Sequence, residues 1–240
     1  PGYCEEWYIR ELEKAVKDLF GSIDLAKLSN FTKVDVDVLK QLLKNITYKP
    51  SASDSLKISL KLNIPLHPLY SYHWKLINNE EFKVFLQWLN KSNLIIEENE
   101  IQKLILPFDE KPKDIIERIG LFHLYVNKEH IVFEKDHAII LNKIFSLDNY
   151  DSEHIIKTLN DSKDPLETIN KLTQFEIRDK SGVFIGSRMG RPEKAKQRKL
   201  TGSPHALFPI GDEGERLRSF QSALENGKVT AEFSIYRCLK

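Results

Sequence analysis

"NLIIEENEIQKLILP", residues Asn93 to Pro107, decides the kind of fold this chain adopts. Leu94, Ile95 and Ile96 form one short apolar run, and Ile101, Leu104, Ile105 and Leu106 form another, with a polar break at 97–100. Two such runs around a polar break read as two short strands joined by a turn. "LFHLYVNKEHIVFE", Leu121 to Glu134, has the same design.

Around these hairpins the apolar spacing is helical. "NEEFKVFLQWLNKS" places Phe82, Phe85, Leu86 and Leu89 on one face. From Tyr3 to Phe20 the residues Trp7, Leu12, Ala15, Val16, Leu19 and Phe20 fall at helical spacing, and Gly21 follows as a stop. Val34 to Ile46 is a second amphipathic stretch. In "SASDSLKISLKLN" helix and strand periods compete through Leu56, Ile58, Leu60 and Leu62, and the Ser/Asp start favours a helix. Pro65 and Pro68 force the following "IPLHPLYSYHW" into an extended or turn conformation. Further helices are expected at Asp136–Phe145, Ser152–Leu159 and Pro165–Leu172.

After Thr173 the texture changes. Seven of the ten glycines lie there, and the apolar runs shorten to "FEI", "VFIG", "HALFPIG" and "VTAEFSIY", with one helix candidate, "EGERLRSFQSALENG". Short strands between Gly-containing loops indicate a compact β-rich unit. The expected fold is therefore α+β: a mostly helical region with short β-hairpins over 1–173, then a β-rich unit over 174–240.

At 240 residues, 41% hydrophobic and 30% charged, the chain has the composition of a protein with packed cores. Its net charge of +1 gives no global field, so preference for an anionic partner has to come from where charge is placed. Cys4 and Cys238 lie near opposite ends; one disulfide is compatible with the sequence, but so few cysteines suit a reducing compartment. There is no signal-like opening and no apolar run near the roughly 18 residues a membrane span needs, so a cytoplasmic location without membrane contact is expected. "KVTAEFSIYRCLK" alternates like a strand and stops without a turn, so further chain is expected beyond it.

Charge is concentrated in "IGSRMGRPEKAKQRKL", Ile185 to Leu200. Arg188, Arg191, Lys194, Lys196, Arg198 and Lys199 fall within twelve residues against one acid, Glu193. Such a run can be a solvated loop. Here Gly190 and Pro192 impose a turn, apolar strands flank it, and "RPEKAKQRK" can open a short helix whose N-terminus attracts anions. Arginine forks and lysine point charges together suit phosphate. Six contacts to duplex phosphates would give a log–log salt slope of roughly −5. The spacing is neither a P-loop nor G-x-G-x-x-G.

Other candidates are weaker. His67 and His73, with Tyr70, Tyr72 and Trp74, could stack bases, but rings filling a core are the favoured reading. No Cys, Asp or Glu at useful spacing makes the two histidines metal ligands. His123 and His130 read as ordinary hairpin residues, whereas His205 opens "HALFPIG" directly after the basic segment. The acid clusters Glu5/Glu6, Glu80/Glu81, Glu97/Glu98/Glu100 and Asp212/Glu213/Glu215 sit at helix starts or turns, where dipole or solubility explains them.

"FIGSRMGRPEKAKQRKL" followed by "HALFPIG" resembles the signature of the large subunit of the archaeal D-family DNA polymerase. "LNIPLHPLYSYHW", "FLQWLNKS" and "LILPFDEKPKDIIERIG" extend the resemblance upstream in the same order, over essentially the whole chain. The resemblance implies a replicative, template-directed polymerase working as a heterodimer with a small exonuclease subunit, a sliding clamp, a DNA template–primer and dNTPs. Its core carries two facing double-psi β-barrels, and the β-rich unit here would hold the start of the first. Lys196 and Lys199 would lie nearest the reaction centre. Arg188, Arg191, Lys194, Arg198 and His205 would contact DNA or nucleotide. The Mg2+-binding aspartates belong downstream, so this piece alone is expected to be inactive, and Cys238 stands where a structural Zn2+ site begins. "LTGSP", Leu200 to Pro204, departs from the family, which carries a basic residue at Thr201 and prolines at Gly202 and Ser203. The alternative reading is a non-catalytic nucleic-acid-binding or assembly module.

Overall fold

In the computed structural model residues 2–180, 213 and 220–229 are described. The chain divides into two compact units, Pro1–Phe184 and Ile185–Lys240.

In the first unit, helix α1 (Glu5–Phe20) starts with Glu5 and Glu6 in its first turn and ends at Gly21, whose φ of 76° lets its N–H return to the Lys17 carbonyl. It buries Tyr8, Leu12 and Val16 at four-residue spacing. Trp7 and Leu19, which the sequence places on that face, are exposed instead. Helix α2 (Leu25–Thr32) is capped by Asp24, and α3 (Val36–Lys44) by Asp35. The Ser51 hydroxyl caps α4 (Ala52–Leu62) by accepting from the Asp54 N–H.

Helices α1 to α4 enclose a small core of Tyr3, Tyr8, Leu12, Val16, Leu28, Val34, Leu39, Leu42, Ile58 and Ile64. A larger core takes Ala52 and Leu56 from the opposite side of α4. This explains the competing periods in Leu56, Ile58 and Leu62: a helix between two cores buries two faces, and its apolar residues imitate alternation. Asp136, from the first turn of a later helix, accepts the Ala52 N–H at 3.0 Å and so ties the start of α4 to that helix.

The larger core is α+β. Single helical turns at Pro68–Tyr70 and Trp74–Leu76 lead to α5 (Asn79–Leu89), which opens with a reciprocal Asn78–Glu81 capping box. Its face of Phe82, Phe85, Leu86 and Leu89 is fully buried, as its spacing predicts. Strands β1 (Asn93–Glu97) and β2 (Glu100–Pro107), and β3 (Leu124–Val126) and β4 (His130–Glu134), form the two expected hairpins. Each turn has two successive residues at positive φ, Glu98–Asn99 and Asn127–Lys128, matching the twist of an antiparallel pair. The hairpins join into one antiparallel sheet of order β1-β2-β4-β3. Between them runs α6 (Glu110–Arg118), a helix the apolar pattern does not announce.

Helices α7 (Lys135–Phe145), α8 (Ser152–Asn160) and α9 (Pro165–Leu172) follow as expected. Trp74 is the hub of the core, edge-on to Phe82, Phe85 and Phe145 at about 6 Å. In the second unit, the expected helix at 213–227 is observed as α10 (Phe220–Asn226), and Asn226 donates to the Glu213 carboxylate at 2.7 Å.

Candidate nucleic-acid interface

The residues that sequence singles out for phosphate contact, Arg188, Arg191, Lys194, Lys196, Arg198, Lys199 and His205, lie outside the described residues, as does Cys238. Cys4 is a free thiol. The described part contains the root of the basic segment, residues 174–180.

This root is an extended strip laced into the first unit. Phe175 and Ile177 are buried in the larger core, although the sequence starts the β-rich unit at 174. The Asn170 side chain brackets Ile177, accepting its N–H at 2.7 Å and donating to its carbonyl at 2.9 Å. Backbone bonds from Leu66 N–H to the Glu176 carbonyl (2.8 Å) and from Tyr3 N–H to the Asp179 carbonyl (2.9 Å) hold its two sides.

Arg178 locks the strip to α1. Its guanidinium lies 5.4 Å from the Tyr3 ring centre and 5.5 Å from that of Trp7, and it pairs with Glu11 and Glu176. Glu11 also accepts from the Tyr3 hydroxyl and the Trp7 indole N–H, each at 3.1 Å. Trp7 is therefore on the outside of α1 because it supports a cation. Burial opposes the Arg178 charge, but Glu176 and Glu11 outweigh it and hold the group above its ordinary value.

Beside the lock, Lys75 pairs with Asp179 at 3.6 Å. Burial pushes the Lys180 amine down, opposed by Glu5. Burial, helped by Lys180, lowers His67 to about 4, so His67 is neutral at neutral pH. Its Nδ1 accepts the Leu69 N–H at 3.2 Å, and its ring packs edge-on against Tyr8 at 4.7 Å. His73 is likewise pulled down by burial and Lys180, with Asp179 opposing. Arg178 and Lys75 are thus committed to acids of the same unit and are not free for phosphate.

The aromatic candidates are core residues. Tyr70, Tyr72 and Trp74 are buried, so no base can stack on them. Tyr72 holds φ at 46° and places its hydroxyl 2.7 Å from His137 Nδ1. Burial also lowers His137, against the opposing charges of Asp136 and Glu134. Exposed rings occur elsewhere, at Phe108, Phe122 and Tyr125 around β3; their place beside a strand of apolar residues was the available sequence signal.

Two surface clefts are no better suited to phosphate. One of about 440 Å³ beside α1 balances Lys14, Lys61 and Arg178 against Glu11, Asp18 and Glu176. The other, about 540 Å³ between α5 and α6, sets Glu80, Glu81, Glu110 and Asp114 against Lys111 and Arg118 and repels anions. Glu5/Glu6 and Glu80/Glu81 are first-turn acids and Glu98 is in a hairpin turn, as expected. Among the described residues no three His, Cys, Asp or Glu side chains group to hold a metal ion, so that part offers no seat for magnesium or zinc. Among them too, no helix is long and apolar enough to cross a membrane.

Comparison with known proteins supplies what the described geometry does not. Residues 1–240 match the family model described as "DNA polymerase II large subunit DP2, central domain". Proteins named DNA polymerase II large subunit are similar throughout: that of Nanoarchaeum equitans is 34% identical over 98% of this chain and 20% of its own length. Those of Pyrococcus horikoshii and Methanothermobacter thermautotrophicus are 32% and 31% identical over 99% of this chain, and over 18% and 19% of their own lengths. The chain thus spans about one fifth of the relatives it matches.

Proposed function

The chain belongs to the family of the central domain of the DNA polymerase II large subunit, and from that premise we propose that it is the part of a template-directed DNA polymerase that presents fixed cations to DNA and nucleotide phosphates. The observation that carries this reading is the family match over residues 1–240, coinciding with six cations in the twelve residues from Arg188 to Lys199.

In this reading residues 1–173 are an accessory region, and the β-rich unit from 174 begins the first double-psi barrel, with the strip at 174–180 resting on the accessory core. Arg188, Arg191, Lys194, Arg198 and His205 bind the template–primer backbone or the incoming dNTP. Lys196 and Lys199 sit nearest the transferred phosphate, where fixed cations offset charge developing as the bond to the DNA 3′ end forms. Mg2+, held by aspartates elsewhere in the full subunit, would neutralise the triphosphate, and Zn2+ near Cys238 would be structural. The full enzyme acts in the cytoplasm as a heterodimer with a small exonuclease subunit and engages a sliding clamp.

The test is the double substitution Lys196→Ala with Lys199→Ala in the full-length enzyme. Turnover on primed template should fall by at least about tenfold more than DNA affinity does, because transition-state charge is what these residues meet. An unchanged rate with weakened binding would make both residues ordinary backbone contacts and favour the non-catalytic module.

A further inference from the structure

Among the described residues, strand β3 is the edge of the sheet, with β4 as its one neighbour. All three of its residues are exposed, Leu124 at 40%, Tyr125 at 44% and Val126 at 38%. Directly paired residues share a face of the sheet, so the register Leu106↔Ile131↔Tyr125 continues the buried, core-facing row out to the edge. On the opposite face the register Ile105↔Val132↔Leu124 runs from half-buried Ile105 through buried Val132 to the exposed Leu124. Both rows reach the edge still apolar. Tyr125 there meets the Phe108 ring at 4.9 Å, and Phe122, 60% exposed, stands just before the strand.

The two edges of the sheet differ. At the other end β1 is broken by a register shift between Ile95 and Ile96 and finishes on Glu97, devices that discourage further pairing. Strand β3 has no bulge, charge or proline. An edge left unprotected in this way is a template for another strand.

The size of the edge selects its occupant. Three residues supply too few backbone bonds to hold a free peptide at cellular concentration, whereas a segment on the same polypeptide arrives at an effective concentration of about millimolar. About four fifths of the relatives' length lies outside this chain. We propose that the β3 edge is covered in the complete large subunit by an extended segment of that same polypeptide from outside residues 1–240, which adds a fifth strand. Since both rows end apolar, the added strand carries uncharged, mostly β-branched or aromatic residues on both faces. The inference uses family membership but not the catalytic reading of the basic segment.

The experiment is hydrogen exchange read by mass spectrometry on the complete large subunit, alone, with the small subunit, and with DNA. The Phe122–Glu129 peptide should exchange at least about tenfold more slowly than an open edge already in the subunit alone. Rapid exchange there, or slowing that needs the small subunit or DNA, overturns the proposal. Tyr125→Lys should accelerate exchange at β3 and at one distant segment outside residues 1–240; acceleration confined to residues 1–240 overturns it. A photo-crosslinking amino acid at Phe122, which leaves the strand sequence intact, should join that same segment within one polypeptide. Crosslinks to the small subunit, to DNA or to residues 181–240, or none, count against it.

Discussion

Replacing His67 by asparagine isolates one buried titration. The imidazole is 3% exposed, accepts the Leu69 N–H through Nδ1 and is held at about 4 against an ordinary 6.5. The fold therefore requires it neutral, while the unfolded chain protonates it first as pH falls. Its contribution is fully present above about pH 6.5 and is lost progressively down to about pH 4. Between about pH 7.5 and about pH 5 this amounts to about 2 kcal/mol of unfolding free energy. Asparagine retains an acceptor for the Leu69 N–H but has no titration in this range. The ring contact with Tyr8 is lost at every pH, so the diagnostic is the pH difference and not the absolute stability. Urea unfolding followed by tryptophan fluorescence suits the measurement, because Trp7, Trp74 and Trp88 all lie in the first unit. His73 and His137 are also lowered by burial and remain in both proteins. His67→Asn should therefore flatten the acid loss by about 2 kcal/mol without abolishing it. Equal losses in the two proteins would refute the assignment of a buried, neutral His67.

Two glycines should separate in thermal melts. Gly21 (φ 76°) has open space where a Cβ would stand, so Gly21→Ala should cost about 1 kcal/mol of left-handed strain. At Gly120 (φ 71°) the new Cβ would also meet His73 Cδ2 at 3.3 Å, and Gly120→Ala should cost more. Tyr72→Phe removes the 2.7 Å bond to His137 and should lower stability by about 1 kcal/mol, read from denaturant midpoints. Arg178→Lys keeps the charge but loses the fork shared by Glu11 and Glu176 and the planar contact with Tyr3 and Trp7. Amide exchange at residues 176–179 should accelerate about tenfold or more, while that of α5 stays unchanged.

Local periodicity made most helices and both hairpins readable, since each is fixed by residues close in sequence. The joining of the hairpins through Leu104↔Phe133 and Leu106↔Ile131 is non-local, and neither strand encodes its partner. Helix α6 was hidden by Pro112 and a run of charges, yet a proline in the first turn gives up an N–H that has no helical acceptor there. Asp109 accepting the Lys111 N–H and Asp24 capping α2 were the overlooked start signals. Trp7 misled because aromatic residues at helical spacing normally face a core, and here the ring faces a guanidinium supplied 171 positions later, at Arg178. The basic segment was legible as composition and as resemblance; the distant partners of the 174–180 strip, Glu11 for Arg178 and Lys75 for Asp179, are brought to it only by folding.

The hydrogen bond between Tyr3 and Asp179 brings the entry and exit of the first unit to one point. Tension along the backbone would therefore load that contact and the neighbouring Arg178–Glu11 pair before either hydrophobic core. Mechanically the unit is a closed loop hung beside the line of force. Pulling on the chain should first peel the strip from α1, releasing the base of the basic segment, and the two cores should yield afterwards in a separate, stronger event.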